Sequence, residues 1–124
     1  MFEYNDHNVS LVEVGPRDGL QNEKTVLELE QKLRYIELLS EAGLNIIEAT
    51  SFVRADRIPQ MGDASELFNE LTKKSFFEQT RFPCLVPNLK GYEMAKACGV
   101  KEISLFSATS DEFTKKNINC TVDE

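Results

Sequence analysis

The stretch VSLVEVGPRDGLQNE, Val9 to Glu23, begins as an apolar run rich in β-branched residues and ends as a turn bearing an arginine, an aspartate and two carboxamides. Val9–Val14 is short and is stopped by Gly15-Pro16, so the pattern predicts a strand and not a helix. Beyond the polar turn, Thr25-Val-Leu-Glu28 has the capping-box pattern, in which a hydroxyl and a carboxylate satisfy free N–H groups at a helix start. Leu29, Leu33, Ile36 and Leu39 follow at helical spacing as one apolar stripe, and Gly43 suits the left-handed position after a helix. Strand, polar turn and helix together make one βα unit.

The unit recurs. Asn45-Ile-Ile-Glu-Ala-Thr50 reads as a second strand, a long loop follows, and Asp63-Ala-Ser-Glu66 is suited to cap a helix carrying Leu67, Phe68 and Leu71. A third strand is expected near Arg81–Val86, ending at Pro87-Asn88 before a helix that closes at Cys98-Gly99. A fourth, Glu102–Phe106, runs into the polar segment SATSDEFTKKNIN. Strand starts at 9, 45, 81 and 102 leave room for right-handed crossovers between parallel strands.

Strict alternation of strand and helix means an α/β fold, either an open doubly wound sheet or a (β/α)8 barrel. The long charged segments here follow strands, while the links after helices are compressed around Gly43 and Gly99. That asymmetry matches a TIM barrel, whose chemistry sits on the loops at the C-terminal ends of its strands. A whole barrel takes about 250 residues. Four units in 124 residues predict the N-terminal half of one, a single partial catalytic domain over residues 1–124. Thr121-Val-Asp-Glu124 repeats the capping pattern, so a further helix is expected to start at the last residues. A half barrel leaves two strand edges unpaired, and association with a C-terminal half or with a second copy is expected.

Composition narrows the partners. With 14 basic and 21 acidic side chains the net charge is −7, which argues against binding nucleic acid through its phosphates. Cys84, Cys98 and Cys120 form no CxxC pair and read as reduced thiols. The opening MFEYNDHN has neither a signal peptide's apolar stretch nor a transit peptide's basic character, and no apolar run reaches the roughly 18 residues needed to span a bilayer. A cytoplasmic protein without membrane contact is expected. His7, the only histidine, precedes the first strand and is not expected to be a metal ligand.

Chemistry concentrates where strands end. Arg17 and Asp18 follow the first strand, and Glu48 lies near the end of the second. A carboxylate there can bind a hard divalent cation or orient a proton, and an arginine can hold a carboxylate or a developing enolate oxygen. The plainer alternative is a charged turn with a surface ion pair. Glu48 interrupts Ile46-Ile47-Glu48-Ala49, where a buried carboxylate requires a partner unless the position faces solvent. Lys24, Lys90, Lys115 and Lys116 fall near strand ends or early helix turns, placed either to ring the mouth with positive charge or to be ordinary solvated lysines.

Five motifs in order, VEVGPRDGLQNE, IEATSFV, PQMGD, PNLKGYEMA and FTKKNIN, resemble the 3-hydroxy-3-methylglutaryl-CoA lyases, a family of metal-dependent TIM-barrel enzymes. The resemblance runs from about Val9 to the last residue. It implies cleavage of 3-hydroxy-3-methylglutaryl-CoA to acetyl-CoA and acetoacetate, a reverse Claisen-type step of leucine breakdown and ketone-body formation, with Mg²⁺ or Mn²⁺ as cofactor. By similarity Asp18 is a metal ligand, and Arg17, Glu48 and Gln21 occupy catalytic positions. Arg17 would steady the thioester enolate, and Ser51 would contact the acyl group. Lys24, Lys90, Lys116 and Asn117 match positions associated with CoA. The family's His-x-His metal pair, a further Asn ligand and a loop with a reactive cysteine have no counterpart here. The isolated chain is therefore expected to hold a partial site and to be inactive alone. The same barrel also serves related enzymes that condense acyl-CoA or transfer carboxyl groups, and a non-catalytic interaction module is the reading from another class.

Overall fold

Four segments of chain lie side by side, all parallel, in the order in which they occur in the sequence. In the computed structural model, which describes residues 9–123, β1 (Thr50–Ser51) pairs with β2 (Cys84–Leu85), and β2 pairs with β3 (Ile103–Ser104). The register sets Thr50 beside Cys84 beside Ile103 and Ser51 beside Leu85 beside Ser104. The segment before them joins through one parallel bridge between Glu13 and Ile47, its Glu13 N–H donating to Ile46 O at 2.9 Å and its carbonyl accepting from Glu48 N at 2.8 Å. A second bridge, Ile46 to Arg81, extends the β1–β2 side. A doubly wound sheet would reverse direction of growth partway; this one does not, as in a barrel wall.

The ladders are shorter than the sequence predicts. The first expected strand, Val9–Val14, is reduced to the bridge at Glu13, and Leu11 and Val12 stay exposed. In the third, Pro83 has no N–H to give; its carbonyl still accepts from Ala49 N at 3.1 Å.

Helices α1 (Leu29–Glu41), α2 (Ala64–Leu71) and α3 (Leu89–Ala97) alternate with these strands, and α4 (Asp111–Ile118) follows β3. Leu33 and Ile36 of α1 and Leu67, Phe68 and Leu71 of α2 meet Ile47, Ala49, Phe52 and Cys84 in one buried core. Each such large side chain removed from water contributes roughly 1.5–3 kcal/mol, so the stripe read at Leu29, Leu33, Ile36 and Leu39 anchors α1 as expected. Along the second segment Ile47 and Ala49 belong to this core while Glu48, between them, lines a cavity on the other face. Gly43 and Gly99 take the left-handed conformation after α1 and α3 (φ 93° and 80°).

Helix starts and caps differ from expectation at four places. Cap chemistry for α1 lies three residues downstream of Thr25: Glu28 is the N-cap, its N–H donating to Gln31 Oε1 at 2.9 Å. The residues before it are held as loop, with Gln60 Nε2 donating to Glu23 O at 2.6 Å. Asp63 does precede α2, yet its carboxylate makes no cap bond and instead accepts from the buried Lys32 Nζ at 2.7 Å. The polar segment after β3 contains α4, capped by Ser110 and closed by Asn119 at φ 59°. Residues 121–123 form a turn behind that helix, with Val122 N donating to Asp111 Oδ1 at 2.8 Å, and no helix starts at Thr121 within the described residues. His7 and Glu124 lie outside those residues. Among them no helix is long and apolar enough to cross a membrane.

Candidate active site

The polar turn after Val14 is a single π-helical turn, Gly15–Gly19. Val14 O accepts from three successive N–H groups, those of Arg17 (3.1 Å), Asp18 (2.7 Å) and Gly19 (3.3 Å). π-turns are uncommon and concentrate at functional sites. Two contacts fix its start. Gly15 N donates to Glu13 Oε1 at 2.6 Å, and the Tyr35 hydroxyl occupies the space a Cβ on Gly15 would need. Burial, aided by the Glu13 carboxylate, pushes the Tyr35 hydroxyl above its usual pKa.

This turn delivers Arg17 to Glu48. Arg17 Nε donates to Glu48 Oε1 across the two neighbouring segments, and its Nη1 donates to Asp18 Oδ1 at 3.1 Å. The second Glu48 oxygen accepts from Ser104 Oγ at 2.9 Å. Arg17 and Glu48 side chains keep only 18% and 7% of their surface in water, while that of Asp18 keeps 54%. Of the two readings of the turn, a surface pair alone is thus insufficient: the Arg17–Asp18 pair exists, but the guanidinium is held mainly from below by a buried carboxylate. Glu48 likewise faces a cavity and not solvent.

That cavity, about 420 Å³, is lined by Arg17, Asp18, Gln21, Glu48, Ser51 and Asn117 together with apolar residues that include Leu85 and Phe106. Ser51 Oγ donates to Leu85 O at 3.2 Å. Gln21 Oε1 is buried and has no hydrogen-bond partner among the described residues. A buried acceptor without a donor is costly, so this oxygen is poised for a donor brought by a ligand. Lys24, Lys90 and Lys116 are exposed and stand off the cavity wall, as does Lys115. Ser104 lines it without having been marked by any motif, and Phe113, which opens the motif FTKKNIN, lines it without having been singled out as a site residue. The Ser104–Glu48 contact joins residues 56 apart, which no local spacing reveals. Cys84 lies behind the wall; burial, then the charge of Glu48, raises its thiol far above the usual range and leaves it inert.

As a metal site the donor set is partial. No three His, Cys, Asp or Glu side chains cluster among the described residues, and Glu48 is already taken by Arg17 and Ser104. Asp18 offers one carboxylate at the cavity wall, one corner of a divalent cation's oxygen sphere.

The HMGL-like family pattern matches residues 8–124 of the chain. The chain belongs to the HMGL-like family. A hydroxymethylglutaryl-CoA lyase, mitochondrial, of Macaca fascicularis is 53% identical over 116 residues, which are 94% of this chain and 35% of that protein. The chain therefore spans about a third of the length of this curated relative. Among solved structures, hydroxymethylglutaryl-CoA lyase from Pseudomonas aeruginosa superposes with a TM-score of 0.81 at 46% identity, covering 93% of this chain and 37% of that one. An HMG-CoA lyase from Acinetobacter baumannii, solved with coenzyme A and 3-methylmalate, gives a TM-score of 0.84 at 34% identity, covering 98% and 38%. These likenesses place the four βα units in the wall of the TIM barrel of these lyases.

Proposed function

We propose that this chain carries the enolate-stabilising part of a lyase site that cleaves 3-hydroxy-3-methylglutaryl-CoA to acetyl-CoA and acetoacetate, the carbon–carbon cleavage of leucine breakdown and ketone-body formation. The supporting observation is the Arg17 guanidinium, fixed by Glu48 and Asp18 on the wall of a cavity at the C-terminal ends of parallel strands. As the bond between C2 and C3 breaks, the 3-hydroxyl gives its proton to a base supplied by the remaining units of the barrel and becomes the acetoacetate carbonyl, negative charge moves onto the thioester oxygen, and return of a proton to C2 completes acetyl-CoA. A guanidinium already oriented there stabilises that oxygen without reorganising. Glu48 serves Arg17 by holding its Nε edge, while Ser104 holds the far oxygen of Glu48. Gln21 accepts from a substrate hydroxyl through its unpartnered Oε1, and Ser51 and Asn117 border the acyl and thioester portions.

Asp18 is the described residue that would hold the divalent metal, Mg²⁺ or Mn²⁺, which when bound supplies polarisation of substrate oxygens. The part of Lys24, Lys90 and Lys116 in CoA binding rests on the resemblance alone. The free thiols of Cys84 and Cys98 fit a cytoplasmic setting. A small acyl-CoA is the substrate class, and a chain supplying the remaining units of the barrel is the partner.

The test is acetoacetate release from 3-hydroxy-3-methylglutaryl-CoA with Mg²⁺, by the chain alone and mixed with the segment of the Pseudomonas aeruginosa enzyme that it does not cover. Turnover is expected in the mixture and lost with Arg17→Gln. A folded mixture with wild-type Arg17 that releases no acetoacetate would overturn the reading.

A further inference from the structure

We infer that Tyr35 of α1 is a positioning residue for Arg17: its hydroxyl bears on Gly15 and fixes the point from which the π-turn aims the guanidinium. The consequence for turnover rests on the lyase reading above; the consequence for the placement of Arg17 does not.

The need for glycine at position 15 is the first ground. Gly43 and Gly99 are required by their left-handed backbone, but Gly15 is not among the residues of positive φ, so conformation does not call for it. Space does. A Cβ there would fall on the Tyr35 hydroxyl, with Glu13 Oε1 at 2.8 Å and Tyr35 Cζ at 3.4 Å. The turn thus approaches α1 more closely than a residue with a side chain permits.

Rigidity on both sides of this contact is the second. Tyr35 lies between Leu33 and Ile36, which hold α1 in the core, so its ring stands on a fixed base. Gly15 cannot slide away from it. Its N–H is tied to Glu13 Oε1 at 2.6 Å, the next residue, Pro16, is buried, and the backbone of Glu13 is bonded to Ile46 and Glu48 of the second segment. The start of the turn is therefore held between the sheet and α1.

The third ground is what stands two residues further on. Leu20 N donates to the carbonyls of Gly15 and Arg17, and Val14 O gathers the N–H groups of Arg17, Asp18 and Gly19, so the turn moves together with its first residue. Glu48 cannot follow a displaced guanidinium, because Ser104 Oγ holds its other oxygen at 2.9 Å. A shift at Gly15 is thus converted into a misaligned Arg17, and a misplacement of about 1 Å costs on the order of a hundredfold in rate. Neither Tyr35 nor Gly15 lines the chamber, so both act through Arg17.

The experiment follows solvent exchange of the Arg17 Nε–H by heteronuclear NMR of the full chain, the signal being identified by its absence in Arg17→Gln. In parallel, kcat and KM are measured in the complemented assay. Gly15→Ala should speed the exchange about tenfold and lower kcat to a similar degree, with KM changed less than about twofold. Tyr35→Phe removes the one atom that bears on the turn and should speed exchange about threefold. In the double variant the two effects should not add: Tyr35→Phe should recover about threefold of what Gly15→Ala loses, since the atom its Cβ meets is gone. Tyr92→Phe, on α3, is the control and should change neither quantity. Circular dichroism and urea midpoints check that each variant keeps its fold. Additive effects in folded variants, or Arg17 exchange that Gly15→Ala leaves unchanged, would overturn the assignment. If Gly15→Ala does not fold, Tyr35→Phe decides alone, and unchanged exchange in it overturns the assignment. Failure of the lyase reading is separate: it appears as absent turnover throughout while Arg17 exchange still follows Gly15 and Tyr35.

Discussion

Two arginine–glutamate pairs bridge neighbouring segments of this sheet, and they behave as opposites. Arg17 and Glu48 meet beyond the end of the first segment, with 18% and 7% of their side chains in water, and Glu48 is secured further by Ser104. Arg81 and Glu102 meet on the third and fourth segments as a two-bond fork at 2.7 and 2.8 Å, with 60% and 36% in water. By geometry alone the exposed pair is the better made. By consequence it is the lesser, since water and salt screen it and can replace either partner. The buried pair cannot be broken without leaving a charge in the wall of a cavity. What separates a site from a surface ornament here is burial, not the quality of the hydrogen bonds.

The largest effect that would expose this contrast is expected from Arg17→Met. It strands Glu48 and should cost about 3–5 kcal/mol in urea denaturation, with loss of acetoacetate release in the complemented assay. A loss no larger than that at Arg81 would break the comparison. Lys32→Met asks whether burial alone suffices away from the cavity. Lys32 Nζ, almost wholly buried, holds Gln60 O at 2.5 Å and Asp63 Oδ1 at 2.7 Å, and its removal should cost about 2–3 kcal/mol while CoA affinity falls only modestly. Glu48→Gln keeps the shape and one acceptor for Arg17. It should lower the urea midpoint by an amount equivalent to about 1–2 kcal/mol, and turnover by more than that loss of fold explains.

Arg81→Gln should leave the neutral-pH midpoint within error. The fork holds the Glu102 carboxyl below its usual range and Arg81 above its own. A carboxyl depressed in the fold stabilises above its unfolded pKa and loses that contribution as pH falls through the folded value. Any small difference between wild type and Arg81→Gln should therefore vanish in acid, and also in 1 M salt, where screening lengths shrink to about 3 Å. A difference that persists there would show the pair to be more than a screened contact.

The same contrast explains what could be read without coordinates. Alternation of strands with helices, and the apolar stripe from Leu29 to Leu39, survive because burial of regularly spaced side chains is written in residue spacing. α4 was hidden, since in Asp111–Ile118 Thr114 is buried and Phe113 half exposed, giving no stripe to follow. Its signal was charge: Asp111 and Glu112 in the first turn, Lys115 and Lys116 in the last, as the helix dipole prefers. Capping patterns misled at Thr25 because four letters describe a possible start, and the contacts of Gln60 with Glu23 and of Lys32 with Asp63 decide which start is used. Arg17, Asp18 and Glu48 were legible as residues at strand ends. Ser104 and Lys32 were not, since each gains its meaning from a partner on another unit.

The π-turn at Gly15–Gly19 holds one more residue than an α-helical turn would. Deleting a single residue there would rewind the segment by about 100°, the angular step of an α-helix, and swing the guanidinium away from the second segment. The length of this turn, counted in whole residues, therefore sets the aim of Arg17, as the number of teeth on a gear sets the phase of the shaft it drives.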